Sequence, residues 1–475
     1  MAVMSKIAAV GDASRPLTRA QLKALLEDPA LIQLNFEHHP LLVKALESEW
    51  LRDNNNEGDL EPGQYLDPVT PRIHRSQHSQ SVPLSPAHTA SSSAPRHRQA
   101  SRTSPSVMPH TAEDSLPKNA AAVRKTTPHQ ERAEEVEAER SPLFQSSIVA
   151  RHAYIGLRRE KVEVSMTARE LVEKRGYTLV EWNGRDTVAL LDNKVHVLGL
   201  LAGGPKDPTY WNDAVPSATR AMCRAAKTLN FPLKALLNRR EAYPSVAVGV
   251  SFGGGQRVPG NLRHSKHNAC VIDDVLLNND GFKRIAHYHT AMMALYAPKM
   301  YQDYHVELDK LYEEYPTLKH IFPRSVFPAA SFNFGPNAVT YSHVDHLNRA
   351  IGWCAITALG NYDWKRSGHL VLESFRLIIE FPLGATILIP SATCVHSNTP
   401  IQRGESRMAF TQYAAGGLFR FVDYGFRTWK TLKAEDRARA DRIEATRDTR
   451  WFEELKLYSR VNELHEDRKA CGVTS

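Results

Sequence analysis

The hydrophobic positions in the second half of the chain follow the short alternating pattern of β-strands. Between residues 330 and 415 the apolar runs are ASFNFG, YSHVD, GWCAITALG, GHLVLE, RLIIEF, GATILIP and RMAFTQYAA, separated by Gly, Pro or Asn. Many short strands at such close spacing predict a β-sandwich or barrel. Four earlier runs have the same character, namely YTLVEW, TVALLD, VHVLGLL and SVAVGVSF.

A second pattern, with apolar residues three and four positions apart, predicts helices elsewhere. These segments are residues 17–50, with a break at Asp28-Pro29, residues 217–240, with a break near Pro232, residues 280–320 and residues 430–468. We expect the last segment to pack on the barrel through its large apolar side chains, Trp451, Phe452, Leu455 and Leu457.

Residues 53–142 contain little that could be buried. Stretches such as SQSVPLSPAHTASSSAPRHRQASRTSPS are rich in Ser, Pro, His and Arg, and burial there cannot offset the entropy lost on ordering. We predict a disordered linker, which is either a plain tether or adds weak phosphate contacts. The chain then divides into an N-terminal helical segment (1–52), the linker (53–142), a folded domain (143–430, with its β-rich core at about 325–425) and a C-terminal helix (431–475).

Composition narrows the class of protein. The formal net charge is +8, which favours acidic partners such as nucleic acid or an anionic membrane. The five cysteines are scattered without a CxxC pair, which argues against a structural zinc module or a disulfide scaffold and for a reducing compartment. Since no apolar run reaches the ~18 residues of a membrane span, we expect a soluble monomer of the cytosol or nucleus.

The stretch YSHVDHLNRA (341–350) holds the most informative polar residues. His343 and Asp345 lie two positions apart, so in a strand both side chains would project from the same face. Alone, such a pair is equally a polar turn. A third candidate, His396, follows the apolar strand GATILIP. Two histidines and one carboxylate form the metal-binding triad of non-haem Fe(II) oxygenases, which leaves coordination positions open for a co-substrate and O₂.

Arg407 adds a co-substrate site to this pattern. It lies eleven residues after His396, at the start of the next strand. A guanidinium there can bind a carboxylate through two parallel hydrogen bonds, as the distal carboxylate of 2-oxoglutarate would require. The four residues fall where a double-stranded β-helix, of the jelly-roll or cupin type, would bring them together. The predicted fold is therefore α+β, with such a core flanked by helices.

Two runs carry a family resemblance. SHVDHLNRAIGWCAITALGNYDWKRSGHLVLESFRLIIEFPLGATILIPSATCVHSNTPI and ESRMAFTQYAAGGLFRFVDYGFRT resemble the fungal branch of the TET/JBP family, 2-oxoglutarate/Fe(II) dioxygenases that oxidise modified bases in DNA and often accompany transposons. The upstream run VAVGVSFGGGQRVPGNL is similar to the same branch, and the likeness covers roughly residues 180–430. No cysteine-rich zinc region precedes the domain, and Glu373-Ser374 stands where the fungal pattern tends to have Trp-Asp.

The resemblance implies both the chemistry and the site. His343, Asp345 and His396 would bind Fe(II), Arg407 would bind 2-oxoglutarate, and His369 would contact that co-substrate unless it is an ordinary core histidine. The implied reaction oxidises 5-methylcytosine to 5-hydroxymethylcytosine and, on repetition, to 5-formyl- and 5-carboxylcytosine. DNA containing modified bases is then the partner, and the nucleus is the expected location.

A base inside a duplex must be flipped out to reach such a site. Asn348, Asn261, Gln256 and Arg257 are candidates for contacts with the substrate, although the two asparagines are equally suited to turns or caps. The run Gly253-Gly254-Gly255 permits either close approach of DNA or a tight hairpin. A basic helical region is either a phosphate-binding surface or a solvated helix face; its residues are Arg220, Arg224, Lys227, Lys234, Arg239 and Arg240.

Two other functions stay open on sequence grounds. The same chemistry could act on N6-methyladenine, on thymine or on RNA, because the shape of the pocket decides the substrate. The chain could also be a catalytically silent DNA-binding or transposon-associated protein, although the complete set of four site residues argues against it.

Overall fold

The computed structural model describes residues 148–159, 165–192, 194–231, 243–253 and 255–473, together with the short strand Leu31–Gln33. Apart from that strand, the predicted N-terminal helices and linker lie outside the described residues, as do Lys234, Arg239 and Arg240 of the basic region. At Leu31–Gln33 the helix prediction is wrong, because this segment pairs in parallel with Val188–Leu191 of a β-sheet.

The described strands form two sheets. In chain order they are β1 (Leu31–Gln33), β2 (Thr178–Val180), β3 (Val188–Leu191), β4 (Val197–Gly203), β5 (Ser245–Ser251), β6 (Gly260–Asn261), β7 (Ala329–Asn333), β8 (Cys354–Asn361), β9 (Leu370–Leu372), β10 (Leu377–Ile379), β11 (Thr386–Ile389), β12 (His396–Asn398) and β13 (Ser406–Tyr413). The larger sheet has the order β1-β3-β4-β11-β8-β13-β7-β5-β6, and the smaller has the order β12-β9-β10-β2. Only β1–β3 and β10–β2 pair in parallel among them.

The sheets enclose a common core. Side chains of the smaller sheet, such as Leu372 and Ile379, join Leu200 and Ile387 of the larger sheet in one buried cluster. This arrangement follows from the nearly uninterrupted apolar residues of these strands, which are buried along their whole length. The larger sheet takes β3, β4 and β5 from upstream of the predicted core at about 325–425, so more of the chain builds the barrel than the strand-dense region alone.

The helices flank the sheets, and the α+β prediction is confirmed. They are α1 (Ala168–Arg175), α2 (Val215–Thr228), α3 (Lys266–Val271), α4 (Asp280–Tyr296), α5 (Pro298–Glu314), α6 (Gly416–Asp423), α7 (Trp429–Glu435), α8 (Arg437–Ala445), α9 (Arg450–Leu455) and α10 (Leu464–Ala470). The predicted helix over 280–320 is two helices, because Pro298 begins a new one. Within the described ranges, no helix combines the length and apolarity needed to cross a bilayer.

The predicted C-terminal helix is a series of short helices, α7 to α10. Trp451 and Leu455 are buried in the core as expected, and Leu457 packs partly against it. The prediction for Phe452 is wrong, since its side chain is 48% exposed. Phe452 follows Trp451 in α9. Consecutive side chains of a helix are about 100° apart, so Phe452 projects away from the core that Trp451 contacts.

Alternation also sorts the two faces of the smaller sheet. Leu370 and Leu372 contact the core between the sheets, whereas Val371 and Ile378 pack under Leu171 of α1 on the outer face. A capping box between Thr167 and Glu170 begins α1. The smaller sheet is thus covered on both sides.

His289 of α4 joins the helices to the larger sheet. Its ring is fully buried, lies 3.0 Å from Gln412 Oε1 and 2.7 Å from Thr357 Oγ1, and stacks on Phe410. Burial lowers the pKa of His289 to about 3, so the ring is neutral in the folded protein at any pH above that value.

This buried ring makes stability depend on pH. In the unfolded chain the imidazole binds a proton below about pH 6.5, so acidification favours unfolding between that pH and about 3. We expect the His289→Gln variant to lose about 2 kcal/mol less stability than the wild type between pH 7 and pH 5. Urea unfolding at the two pH values measures the difference, and equal losses in both proteins would contradict this assignment.

Candidate metal centre

His343 and His396 face each other across an antiparallel backbone bridge. The amide of His343 donates to the carbonyl of His396 at 3.1 Å, and the reciprocal hydrogen bond measures 2.9 Å. Their ring centroids are 4.3 Å apart. The segment around His343 forms isolated bridges rather than the predicted strand, but the bridge still brings the two imidazoles together.

Asp345 completes a cluster of three. One carboxylate oxygen lies 3.8 Å from His343 Nε2, and the other lies 3.9 Å from His396 Nε2. One ligand atom from each of the three residues lies within 4.8 Å of the other two. Asp345 is only 7% exposed and His396 only 5%. The structure therefore brings together the three residues that the sequence predicted.

Backbone carbonyls set the orientation of both rings. His343 Nδ1 lies 2.7 Å from the carbonyl of Tyr341, and His396 Nδ1 lies 2.9 Å from the carbonyl of Cys394. A carbonyl can only accept, so each Nδ1 carries the proton, and Nε2 is the unprotonated nitrogen that can ligate a metal. In both cases Nε2 is the atom nearest Asp345.

Glu373 connects the backs of the two histidine segments. Its carboxylate accepts hydrogen bonds from Ser342 Oγ at 2.7 Å and from Ser397 Oγ at 2.9 Å. These serines are the immediate neighbours of His343 and His396, on the outer side of the smaller sheet. The next residue, Ser374, accepts a hydrogen bond from the amide of Val395. Glu373 and Ser374 thus support the backbone bridge between His343 and His396 from the outer side of the smaller sheet. The sequence did not predict this role.

Arg407 is a buried cation on β13. Its neighbours Met408 and Phe410 contact the helical layer, so alternation directs Arg407 to the interior between the sheets. It is only 3% exposed; Nη1 donates to the carbonyl of Ala338 at 2.5 Å, and buried Nε has no hydrogen-bond partner. It forms no ion pair in the part of the chain that the structure describes.

Aromatic and glycine residues shape the surroundings of that guanidinium. The rings of Tyr362 and Phe381 lie 5.9 and 5.8 Å from its central carbon. A Cβ atom at Gly368 would lie 3.1 Å from Arg407 Cδ and 2.8 Å from the Tyr362 ring, and its φ is +66°. Glycine is therefore needed beside the arginine for space and for backbone conformation.

His369 follows Gly368 and is 1% exposed. Its Nδ1 lies 2.8 Å from Thr399 Oγ1, while its buried Nε2 has no hydrogen-bond partner. Burial lowers the pKa of His369. The backbone around it is tied to β12, because Asn398 Nδ2 donates to its carbonyl at 3.2 Å. The predicted contact of His369 with the co-substrate stays a prediction.

Asn348 lies close to the triad in the chain and in space. Its amide proton bonds the carbonyl of Asp345 at 2.8 Å, and its side-chain Nδ2 donates to Ser391 Oγ at 3.1 Å. Ser391 in turn accepts the amide of Asp345 through its carbonyl. The side chain of Asn348 is half-buried, and its predicted contact with the substrate stays a prediction.

The other predicted substrate contacts lie elsewhere. The side chain of Asn261 bonds the carbonyl of Thr317 and the amide of Lys319, both at 2.9 Å, and thereby fastens two loops. Gln256 and Arg257 are exposed in the turn after Gly255. Arg220, Arg224 and Lys227 are exposed on α2. Their predicted contacts with the substrate stay predictions.

Comparisons with known proteins add limited similarity. No model of a known protein family matches the chain, and no curated protein does so either. Among solved structures, NgTET1 in complex with 5mC DNA shows 13% identity over 50% of this chain and 82% of its own, with a TM-score of 0.33. A viral collagen prolyl hydroxylase of Paramecium bursaria Chlorella virus-1, in a 2OG complex, shows 16% identity over 19% of this chain and 60% of its own, with a TM-score of 0.16.

Both likenesses are partial.

The hydrogen bonds of Glu373 predict a measurable effect on metal binding. Glu373→Ala should weaken Fe(II) binding about tenfold, because both histidine segments lose support. Glu373→Gln should recover part of that loss, since an amide can still bond both hydroxyls. Calorimetric titration of Fe(II) under anaerobic conditions measures the affinity, with Glu173→Ala on exposed α1 as the control. An unchanged affinity in Glu373→Ala would show that the carboxylate does not position the site.

Proposed function

We propose that this chain is an Fe(II)- and 2-oxoglutarate-dependent dioxygenase that oxidises 5-methylcytosine in DNA. The observation that carries the proposal is the triad of His343, Asp345 and His396 inside a barrel that also buries Arg407, which forms no ion pair with any residue that the structure describes.

The triad fits Fe(II). Two imidazole nitrogens and one carboxylate are the donors of the facial triad, and three protein ligands leave positions open for a co-substrate. The hydrogen bonds at both Nδ1 atoms supply the outer-shell support that metal-binding histidines require. His343, Asp345 and His396 would hold the metal.

The surroundings of Arg407 fit the distal carboxylate of 2-oxoglutarate. A buried charge without a partner costs several kcal/mol, and a bound carboxylate would remove that cost while satisfying the unpartnered Nε. Nε2 of His369 is available for a second contact. When bound, Fe(II) and 2-oxoglutarate supply the means by which O₂ oxidises a C–H bond.

The protein's own contribution is position and exclusion of water. The backbone bridge holds the two imidazoles, the Glu373 carboxylate supports the bridge, and the low exposure of Asp345 and His396 keeps solvent from the site. A cytosine flipped out of the duplex would present its methyl group to the open side of the triad, beside Asn348.

Several features support DNA as the substrate. The sequence resembles DNA base dioxygenases, and the net charge of +8 favours a polyanion. The proposed product is 5-hydroxymethylcytosine, and repeated oxidation would give the 5-formyl and 5-carboxyl bases. We further propose that the protein acts as a monomer and in the nucleus, where such a substrate is found.

The role of Arg407 can be tested separately from metal binding. Arg407→Lys keeps the charge but loses the two-pronged geometry, so the Kd for 2-oxoglutarate should rise by about tenfold or more while Fe(II) affinity is unchanged. The matched control is Arg403→Lys, an exposed arginine nearby. Anaerobic titrations of each ligand give both values, and equal 2-oxoglutarate affinity in the two variants would argue against the assignment.

The substrate can be identified with a panel of oligonucleotides. With Fe(II) and 2-oxoglutarate, a 5-methylcytosine duplex should give 5-hydroxymethylcytosine by mass spectrometry, and Asp345→Ala should give none. Duplexes with N6-methyladenine or thymine and a methylated RNA form the comparison set. Product from one of those alone would keep the chemistry and replace the substrate. Absence of any product, in a protein that does not bind Fe(II), would support the silent DNA-binding alternative.

A further inference from the structure

A second polar pocket lies among the C-terminal helices, away from the triad. It is an open depression of about 350 Å³ between the end of α6, the helix α8 and the start of α9. Its lining residues are Asp423, Arg439, Arg442, Ile443, Thr446 and Arg450. Three of the six are arginines, and Asp423 is the one carboxylate among them.

These arginines lack acidic partners. Arg439, Arg442 and Arg450, with the adjacent Arg420, form no ion pair within the described part of the chain. By contrast, other arginines close by are paired, such as Arg447 with Glu444 at 2.7 Å. The carboxylate of Asp423 accepts a hydrogen bond from the hydroxyl of Tyr154. The pocket therefore carries an excess of positive charge.

Backbone carbonyls hold two of the guanidinium groups in place. Arg439 Nη2 donates to the carbonyl of Asp423 at 2.7 Å. Arg450 donates to the carbonyls of His152 and Ile443, both at 3.1 Å. Neutral acceptors fix the orientation of these side chains without cancelling their charge. A site arranged in this way before binding loses little entropy when an anion arrives.

His152 lies in the positive electrostatic field of the nearby arginines. Its Nδ1 accepts a hydrogen bond from the amide of Tyr154 at 3.2 Å, and its Nε2 lies 3.2 Å from Arg420 Nη1. Burial lowers the pKa of His152 well below its ordinary value, and the charges of Arg420, Arg447 and Arg450 lower that pKa further. The nearby charges thus disfavour any additional cation.

The pocket is connected to the metal centre through α6. This helix begins where Ala415 bridges to Asn348 and the amide of Gly416 bonds the carbonyl of Leu347 at 2.9 Å. It ends at Asp423, about 12 Å further along at 1.5 Å per residue. The helix thus links the residues next to Asp345 with the pocket, and each strand of a duplex offers one phosphate per 3.4 Å of its axis.

We propose that this pocket binds a backbone phosphate of DNA that flanks the target base. The inference rests on the proposed function for its ligand, since a phosphate on DNA and free inorganic phosphate share the same chemistry. Guanidinium groups with unused donors bind phosphate oxygens through paired hydrogen bonds. The contact would be independent of sequence and would position the duplex rather than read it.

Arg442 and Arg437 offer a matched test on one helix. Both are exposed arginines of α8, but Arg442 lines the pocket, whereas Arg437 forms an ion pair with Asp441 at 2.8 Å. Arg442→Ala should weaken binding of an unmodified duplex about three- to tenfold and reduce the slope of log K against log[salt] by about 0.9. Arg437→Ala should change neither quantity appreciably, and Arg442→Lys should retain most of the affinity.

Fluorescence anisotropy of a labelled duplex at several salt concentrations measures both quantities. Equal effects of Arg442→Ala and Arg437→Ala would overturn the proposal. It would also be overturned if inorganic phosphate raised the Tm through Arg442 while DNA affinity did not depend on that residue. If the protein binds DNA through Arg442 but oxidises no base, the proposed function is contradicted and the proposed phosphate site is supported.

Discussion

The pair of backbone hydrogen bonds between His343 and His396 is the interaction on which the site depends. It fixes the register of β12 against the segment that carries His343, with His396 opposite Leu372 of β9. Side chains alternate along a strand, so a slip by one residue would turn His396 outward and Ser397 inward. The side chains of β9 and β10 are apolar and buried on both faces, so they do not oppose that slip, whereas the hydrogen bonds from Ser342 and Ser397 to Glu373 do. The fold and the metal centre are thus specified by the same register.

The buried guanidinium of Arg407 is the second constraint, and it acts against stability. A cation that is 3% exposed and has no acidic partner among the described residues destabilises the protein. The nearby glycine, the two aromatic rings and the carbonyl of Ala338 accommodate it without neutralising it. A site of this kind is stabilised by its ligand, so binding of a dicarboxylate should couple to the free energy of unfolding. The arginines around Asp423 are also cations without an acidic partner among the described residues. They lie at the surface, where water reduces the free-energy cost of an unpaired charge.

The sequence could predict the parts that depend on local pattern. Closely spaced apolar runs located β7 to β11 and β13, and the spacing of His343, Asp345, His396 and Arg407 identified residues of which the structure brings the first three into one cluster. Contacts that depend on register could not be predicted. Glu373 meets Ser342 and Ser397, which lie 31 and 24 residues away in the chain, and only the sheet places them together. For the same reason Asn261 could not be assigned to its loop contacts at Thr317 and Lys319.

The most direct test of this account is a crystal structure of the protein with Mn(II), as a redox-stable substitute for Fe(II), and 2-oxoglutarate. The account predicts one metal ion bound by His343 Nε2, the Asp345 carboxylate and His396 Nε2, with the distal carboxylate of 2-oxoglutarate on Arg407. A metal ion bound elsewhere, or 2-oxoglutarate bound without contact to Arg407, would contradict it.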